Sequence, residues 1–414
     1  MSHEVEEPSG WGLWLDTAIC YWTTTTIVIL GVCLGHFYLI ESHHQDHFHT
    51  PHRADLAAAF ANWDGQWYVH VARDGYFYDA KAMSSVAQFP VFPLAGRYLA
   101  WATGLHCDLA LTLVANVGFF FALVLFGDYL RRRTDHPAAK TAGSPAACAC
   151  LALALFPVGF FFRMAYSESL FLLLAVLTLY GSARQWPIWT VAALVGLATA
   201  TRPVGVALMP PLLLSCWRRY VSLRRRLAVL GLAAPLCVWG LASYMIFQYA
   251  RFGDSLAFLK TQAHWRSREP SSRAEQLLAA ATLEPLWTVY DESSPAYWHR
   301  HDRELGPAFS LQFANPIYFT GMAFLVGYGA WRRWLSAEEV LYALGVLLIP
   351  YLAKSHEWCM GSHARYALVA FPAYIVLGRL LAALPSPYAA AVLALFGFLL
   401  GTYSALFAGW FLFI

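Results

Sequence analysis

Long apolar runs, many of them near the length of a membrane span, alternate with short polar connectors along most of this chain. They lie near residues 17–40, 107–130, 145–162, 166–183, 187–201, 203–217, 227–250, 310–330, 337–353, 364–384 and 387–413. A helix needs about 20 consecutive apolar residues to cross the hydrocarbon of a bilayer. The pattern therefore predicts an all-α polytopic membrane protein of about 10–11 transmembrane helices, with residues 1–414 forming a single domain. The runs flanking Arg202-Pro203 are shorter than the rest. Two half-length helices broken at Thr201-Arg202-Pro203 suit a segment lining a cavity, where irregular backbone is tolerated. The stretch 88–104 is amphipathic and is expected not to cross.

Loop charge sets the orientation. Arg131-Arg132-Arg133, Arg218-Arg219 with Arg224-Arg225-Arg226, and Arg332-Arg333 mark one face, and short basic loops are retained in the cytoplasm. The N-terminus is then cytoplasmic, and segments 41–106 and 251–309 are two large outer loops. The N-terminus is acidic and lacks a positive leader region, so the first apolar run is expected to stay as an anchor.

Composition agrees with this class. Hydrophobic residues make up 59% of the 414 positions and charged residues 13%, against about 45–50% and 25% in soluble domains. Seventeen Trp and 22 Tyr fit rings placed at the lipid headgroups. A net charge of +3, with the basic residues gathered in short loops, argues against nucleic acid as a partner. Of the eight cysteines, six (Cys20, Cys33, Cys148, Cys150, Cys216 and Cys237) fall in or beside apolar runs, where cysteine packs as a small hydrophobe. Cys148-Ala149-Cys150 has no nearby His to complete a metal site. Only Cys107 and Cys359 could face an oxidising compartment, where a bridge between them is open.

Both outer loops are rich in Trp, Tyr, His, Arg and acidic residues, more than a tether requires, and such loops on a rigid scaffold are where binding and catalysis reside. The first contains Asn62-Trp63-Asp64-Gly65-Gln66-Trp67-Tyr68, then Ala72-Arg73-Asp74-Gly75-Tyr76 and Gln88-Phe89-Pro90-Val91-Phe92-Pro93-Leu94. Asp64, set between aromatics near the membrane surface, has two readings. It caps a helix carrying Trp67, Tyr68 and Val71 at helical spacing, or it is a partly desolvated base acting on a hydroxyl. Asp74 is the reserve candidate, and as a turn residue before Gly75 it reads as structural.

Trp63-Asp64, Tyr68 to Ala72, Gly75-Tyr76 and the Phe89–Leu94 block resemble the first lumenal loop of PIG-V-type mannosyltransferases, the second mannosyltransferases of GPI-anchor synthesis and their bacterial relatives in the glycosyltransferase C superfamily. The likeness continues at Tyr166-Ser167-Glu168-Ser169-Leu170-Phe171, Ala200-Thr201-Arg202-Pro203-Val204-Gly205, Phe252–Phe258 followed by His264-Trp265, and Arg365-Tyr366. It implies a glycosyltransferase C-type bundle and an inverting glycosyltransferase. Such an enzyme moves a sugar, mannose by resemblance, from a polyprenyl- or dolichyl-phosphate donor to a glycolipid or glycan acceptor on the non-cytoplasmic face. Inversion is one displacement, so one carboxylate suffices, and Asp64 matches the acidic residue given that role. No cofactor or metal is implied. The compact chain favours a bacterial plasma membrane over the endoplasmic reticulum.

A departing phosphate needs fixed cations or N–H donors. Arg202 interrupts an apolar segment, which makes it a functional candidate, with snorkelling to the interface as its plain alternative. Arg365 can grip phosphate bidentately, with His363 assisting. Trp63 and Tyr366, beside them in the matched blocks, are carried as substrate-binding candidates. Arg163 and Glu168 either pair with each other to secure a turn or bind substrate, Glu168 by orienting sugar hydroxyls or an arginine. His264 and Trp265 line an acceptor entrance or act as interfacial anchors. The His-rich tract 41–52 has irregular spacing and reads as adventitious or pH-responsive more than as a metal site. The main rival reading is a transporter or lipid flippase, although no matching hydropathy halves of the kind inverted repeats produce are visible.

Overall fold

The computed structural model describes residues 10–39, 55–133, 143–302 and 305–411. Among them are helices and connecting segments, and no strand. The His-rich tract 41–52 lies outside the described residues; among the described residues no group of three or more His, Cys, Asp or Glu side chains is arranged to hold a metal.

Gly12–Tyr38, Cys107–Arg131 and Ser386–Ala408 are each long and apolar enough to cross a membrane alone. Leu223–Cys237 and Trp239–Phe252 make a fourth candidate as a pair bent by 46°, with Pro235 inside the first member to disrupt its last turn. The protein is an integral membrane protein, and several of its apolar helices are short or broken pieces rather than full spans, with proline as the main reason. The run 145–162 divides into helix Pro145–Leu155 and a 3-10 turn, Pro157–Phe162. The run across Arg202 divides into helix Ile188–Thr201, 3-10 turn Pro203–Leu208 and helix Met209–Arg219. At both breaks the residue before proline is forced from helical to extended geometry: Phe156 has ψ 134° and Arg202 ψ 144°. An 11-residue helix rises only about 16 Å, so these pieces pack as half-spans against the long helices. Leu311–Trp331 carries Gln312, Asn315 and Pro316, and Ala337–Lys354 carries Glu338 and Glu339, which dilutes their apolar character.

Small residues let the long helices approach. A Cβ added at Gly31 would sit 2.4 Å from the Gly401 carbonyl oxygen, and one at Gly35 would sit 2.0 Å from that of Ala405. The first and last helices thus cross backbone to backbone through a small-xxx-small pattern, the usual means of tight association in lipid.

The basic turns do converge on one end of the bundle. Arg133 pairs with Glu339 and donates to the Trp334 carbonyl at 2.6 Å, while Arg218 pairs with Glu338 at 2.7 Å. Both acids lie in the first turn of Ala337–Lys354, whose Ser336–Glu339 capping box fixes its start. In the first outer loop, helix Val91–Thr103 buries Phe92, Pro93 and Gly96 and exposes Tyr98 and Trp101. It has 13 residues, too few to cross, and the character of a helix lying in the interface. All eight cysteines are free, so the expected Cys107–Cys359 bridge is not formed: Cys359 is buried in a left-handed turn, while Cys107 opens its helix half-exposed.

Candidate active site

The helix Asp64–Arg73 begins abruptly because of the residue before it. Trp63 has φ 57° and ψ −126°, a conformation that costs a non-glycine residue energy and persists only where surrounding packing enforces it. That packing is visible. Asn62 donates to the carbonyls of Phe407 and Ala408 at 3.2 and 3.1 Å, covering the exposed end of the last helix. The Trp63 ring lies 5.1 Å from that of Trp410. Tyr166 donates to the Asn62 carbonyl at 3.0 Å, and the amide of Ala165 donates to the Phe60 carbonyl at 2.8 Å. The Tyr68 hydroxyl meets Ser167 at 2.9 Å. Burial, with the Glu168 carboxylate adding to it, pushes that phenol up to about 12, so it remains a protonated structural partner. Asp64 and Glu168 are therefore mounted on one junction, the first outer loop locked to the turn before helix Glu168–Ala183. Asp64 does not cap its helix, since Trp63 holds the cap position and no side chain makes a capping bond.

The Asp64 carboxylate turns instead toward Arg365, whose Nη1 lies 2.8 Å from Oδ2. The Nε of Arg365 stands 3.4 Å from Glu168 Oε1, and Arg202 pairs with the same oxygen. The result is a chain Asp64–Arg365–Glu168–Arg202 drawn from four distant segments. Arg202 reaches it because the proline break leaves its backbone extended at the end of Ile188–Thr201. Arg365 reaches it from the short helix His363–Leu368, introduced by Cys359, Met360 and Ser362, all at positive φ. That turn is braced by Asn315, whose Oδ1 accepts from the amide of Ala364 at 3.1 Å, and by Gln312, which donates to the Cys359 carbonyl. The aromatic rings of Tyr166, Phe161 and Tyr366 surround the Arg365 guanidinium at 5.4–5.5 Å. Glu168 Oε2 is buried with no hydrogen-bond partner.

These groups open on a cavity of about 300 Å³. Asp64, Tyr68, Arg202, Arg365 and Tyr366 line it, and so do Gln262, Trp265, Lys354 and Trp358. Lys354, at the end of Ala337–Lys354, donates to Gln262 at 2.9 Å and stands 4.0 Å from the Trp358 ring centre. Three cations thus face two carboxylates, leaving an excess positive charge beside a wall made of Phe89, Val204, Phe258, Leu259 and Ile349. Helices Glu168–Ala183 and Ala337–Lys354 join this cavity to the arginine-rich end, and at 16 and 18 residues they separate the two by about 25 Å.

Other sequence candidates lie elsewhere. Arg163 is fully buried and does not pair with Glu168; it donates to Thr24, Thr25 and the Gly159 carbonyl, with its guanidinium 4.3 Å from the Phe119 ring centre. Trp63 packs beneath the site and is not on its wall. His363 is buried behind the wall, its Nδ1 3.1 Å from the Gly361 carbonyl and its ring against Phe319 and Tyr366. His264 faces the Ala80 carbonyl at 3.2 Å, while its neighbour Trp265 lines the cavity edge-on to Trp67. Asp74 ends its helix in ion pairs with Arg73 and His70. Lys354 and Gln262 were not singled out by the sequence. The signal for Lys354 was a lone cation closing an apolar run, which is equally the mark of an ordinary span end.

No family model matches the chain, and no curated protein matches it. Among solved structures it is similar to ArnT from Cupriavidus metallidurans bound to undecaprenyl phosphate, with a TM-score of 0.49 and 15% identity over 94% of this chain and 63% of that one. It is also similar to an Archaeoglobus fulgidus oligosaccharyltransferase tethered with an acceptor peptide, with a TM-score of 0.44 and 11% identity over 95% and 55% of the two chains. A third likeness is to AglB from the same organism in complex with an inhibitory peptide and a dolichol-phosphate, at 0.39 and 11% over 94% and 55%. The chain spans less than two thirds of the length of each. These are weak likenesses, and the chemistry of the site is read from its own residues.

Proposed function

We propose that the cavity is the active site of an inverting glycosyltransferase that uses a polyprenyl-phosphate-linked sugar, with Asp64 as its base. The observation that carries this reading is one carboxylate with a free oxygen facing three cations across a cavity with an apolar wall. Arg365 takes Oδ2 of Asp64, leaving Oδ1 for an acceptor hydroxyl. In the reaction that hydroxyl's oxygen attacks the anomeric carbon as its proton passes to Asp64. The carbon–oxygen bond to the lipid phosphate breaks, and the phosphate leaves with the electron pair. Arg202, Lys354 and Arg365 would stabilise the charge that grows on it. A donor phosphate competing for Arg365 would free Asp64 to receive the proton, so donor binding would arm the base. Glu168 holds Arg202 and Arg365 in place between catalytic events.

The apolar wall suits an isoprenoid tail, and Trp265 and Trp358 suit a sugar face. Mannose as the sugar, and a glycolipid or glycan as acceptor, rest on the resemblance of the loop motifs. The cavity lies at the end opposite the arginine-rich turns, which supports a reaction on the non-cytoplasmic side. The broken helix at Arg202 and the bent pair at Val238 also suit a lipid flippase, which a single preparation can distinguish. Purified protein in vesicles containing radiolabelled polyprenyl-phosphate mannose and membrane lipid extract should yield a labelled glycolipid. Label that crosses the bilayer without forming a new product would support the flippase and sink the transferase.

A further inference from the structure

A second cavity, of about 450 Å³, lies at the arginine-rich end, within the size range of small-ligand sites. Its wall includes Arg132, Arg133 and Arg184, the carboxylate Glu338, and the hydroxyls of Tyr180 and Ser182. Most of the arginines there are already paired. Asp128 takes Arg131 and Arg132, Glu339 takes Arg133, and Glu338 takes Arg218. Among the described residues Arg184 has no ion-pair partner, so one guanidinium on the cavity wall stands without a carboxylate. The hydroxyl of Ser182, on the same wall, is buried without a hydrogen-bond partner. A buried polar atom left so is uncommon and calls for a missing partner.

Two helices, Cys107–Arg131 and Glu168–Ala183, end at this cavity and one, Ala337–Lys354, begins there, so attraction for an anion must come from the arginine side chains and not from the helix dipoles. The carbonyl end of Glu168–Ala183 is closed by the amides of Arg184, Gln185 and Trp186, and the amino end of Ala337–Lys354 faces the same space from Ser336. Trp189, Trp217 and Trp331 stand exposed around this end, the belt that marks headgroup depth. We infer that this cavity binds the phosphate of an anionic glycerophospholipid headgroup from the leaflet on the arginine-rich side. Arg184 and Arg132 would grip phosphate oxygens, and the Ser182 hydroxyl would meet a phosphate or glycerol oxygen. Basic pockets between membrane helices on the cytoplasmic side suit such headgroups. The inference does not depend on the proposed transferase activity.

The test uses the full-length protein in detergent, with binding of short-chain phosphatidylglycerol, phosphatidylcholine and inorganic phosphate measured by intact-complex mass spectrometry. Phosphatidylglycerol should bind about tenfold more tightly than phosphatidylcholine. Arg184→Gln should remove about that factor, as expected for one charge-assisted hydrogen bond, and Arg184→Lys should keep most of it. Arg202→Gln, in the other cavity, should leave phosphatidylglycerol binding unchanged. Equal binding of the two lipids, or full phosphatidylglycerol binding in both Arg184→Gln and the Arg132→Gln/Arg184→Gln double variant, would overturn the assignment. Loss in Arg202→Gln but not in Arg184→Gln would move the lipid to the first cavity and likewise overturn it. Inorganic phosphate binding as tightly as phosphatidylglycerol would assign the site to a soluble anion and refute the lipid source.

Discussion

The two ends of the bundle are built from the same side chains to different purposes. At the arginine-rich end the pairs tie turns together: Asp128 holds Arg132 one helical turn away, and Glu338 holds the exposed Arg218. At the other end Asp64 and Arg365 are 301 positions apart and meet at 2.8 Å in a site drawn from four segments. Surface pairs are worth little, whereas breaking a buried pair strands a charge in a poor solvent. The first arrangement fastens turns. The second joins four segments around a charged cavity, with backbone at positive φ at Trp63, Cys359, Met360 and Ser362; Gln185 and Arg333 take that conformation at the arginine-rich end too, so it is the long-range pairing and not the backbone strain that sets the two ends apart.

The largest effect should come from Glu168→Gln, which leaves Arg202 and Arg365 without their shared counter-charge. Unfolding in detergent should become easier by about 3–5 kcal/mol; a stability within 1 kcal/mol of the parent would mean that the two arginines do not depend on Glu168. Next comes Lys354→Gln, expected to raise the donor KM about tenfold with kcat little changed, in line with one lost charge-assisted contact. Lys354→Arg should restore most of it, and an unchanged KM would remove Lys354 from the phosphate. Arg218→Gln at the opposite end should alter stability by about 1 kcal/mol or less and leave transfer as it was. The smallest effect belongs to Asp74→Asn, about 0.5 kcal/mol or less for so exposed a pair. Arg73 holds the Asp74 carboxyl below its ordinary value, so its contribution is present above the ordinary carboxylate range and fades as pH falls through the lowered value. The Asp74→Asn variant should show less of that acid loss and full transfer; a transfer defect would reinstate Asp74 as the base.

The class of fold was legible because lipid imposes it: long apolar runs have few alternatives, and arginine clusters mark one end. The break at Arg202 was legible too, since proline dictates the geometry of its predecessor. Span number was less so. Whether Pro157 interrupts a run or merely starts a new turn depends on which neighbours receive the freed backbone groups. At the site, Asp64, Arg202 and Arg365 could be singled out because a charge in an apolar stretch or a conspicuous loop motif is visible in one dimension. That Glu168 orients an arginine was one of the readings open, but which arginine was not legible, because nothing in the spacing of Arg163 and Glu168 reveals that the nearer one turns to Thr24 while the distant ones turn to the carboxylate. Trp63 misled for a related reason. Its value lies in the backbone turn it makes under Trp410, which the residue type does not announce.

The central claim is that Asp64 takes the proton from the acceptor. Its most direct test is single-turnover transfer from a saturating, radiolabelled polyprenyl-phosphate sugar by the parent protein and by Asp64→Asn, with donor affinity measured on the same samples. The account predicts transfer slowed by about 10²–10⁴-fold, the range of general-base catalysis, with donor affinity close to that of the parent. Transfer by Asp64→Asn at the parent rate, with donor bound equally well, would contradict it.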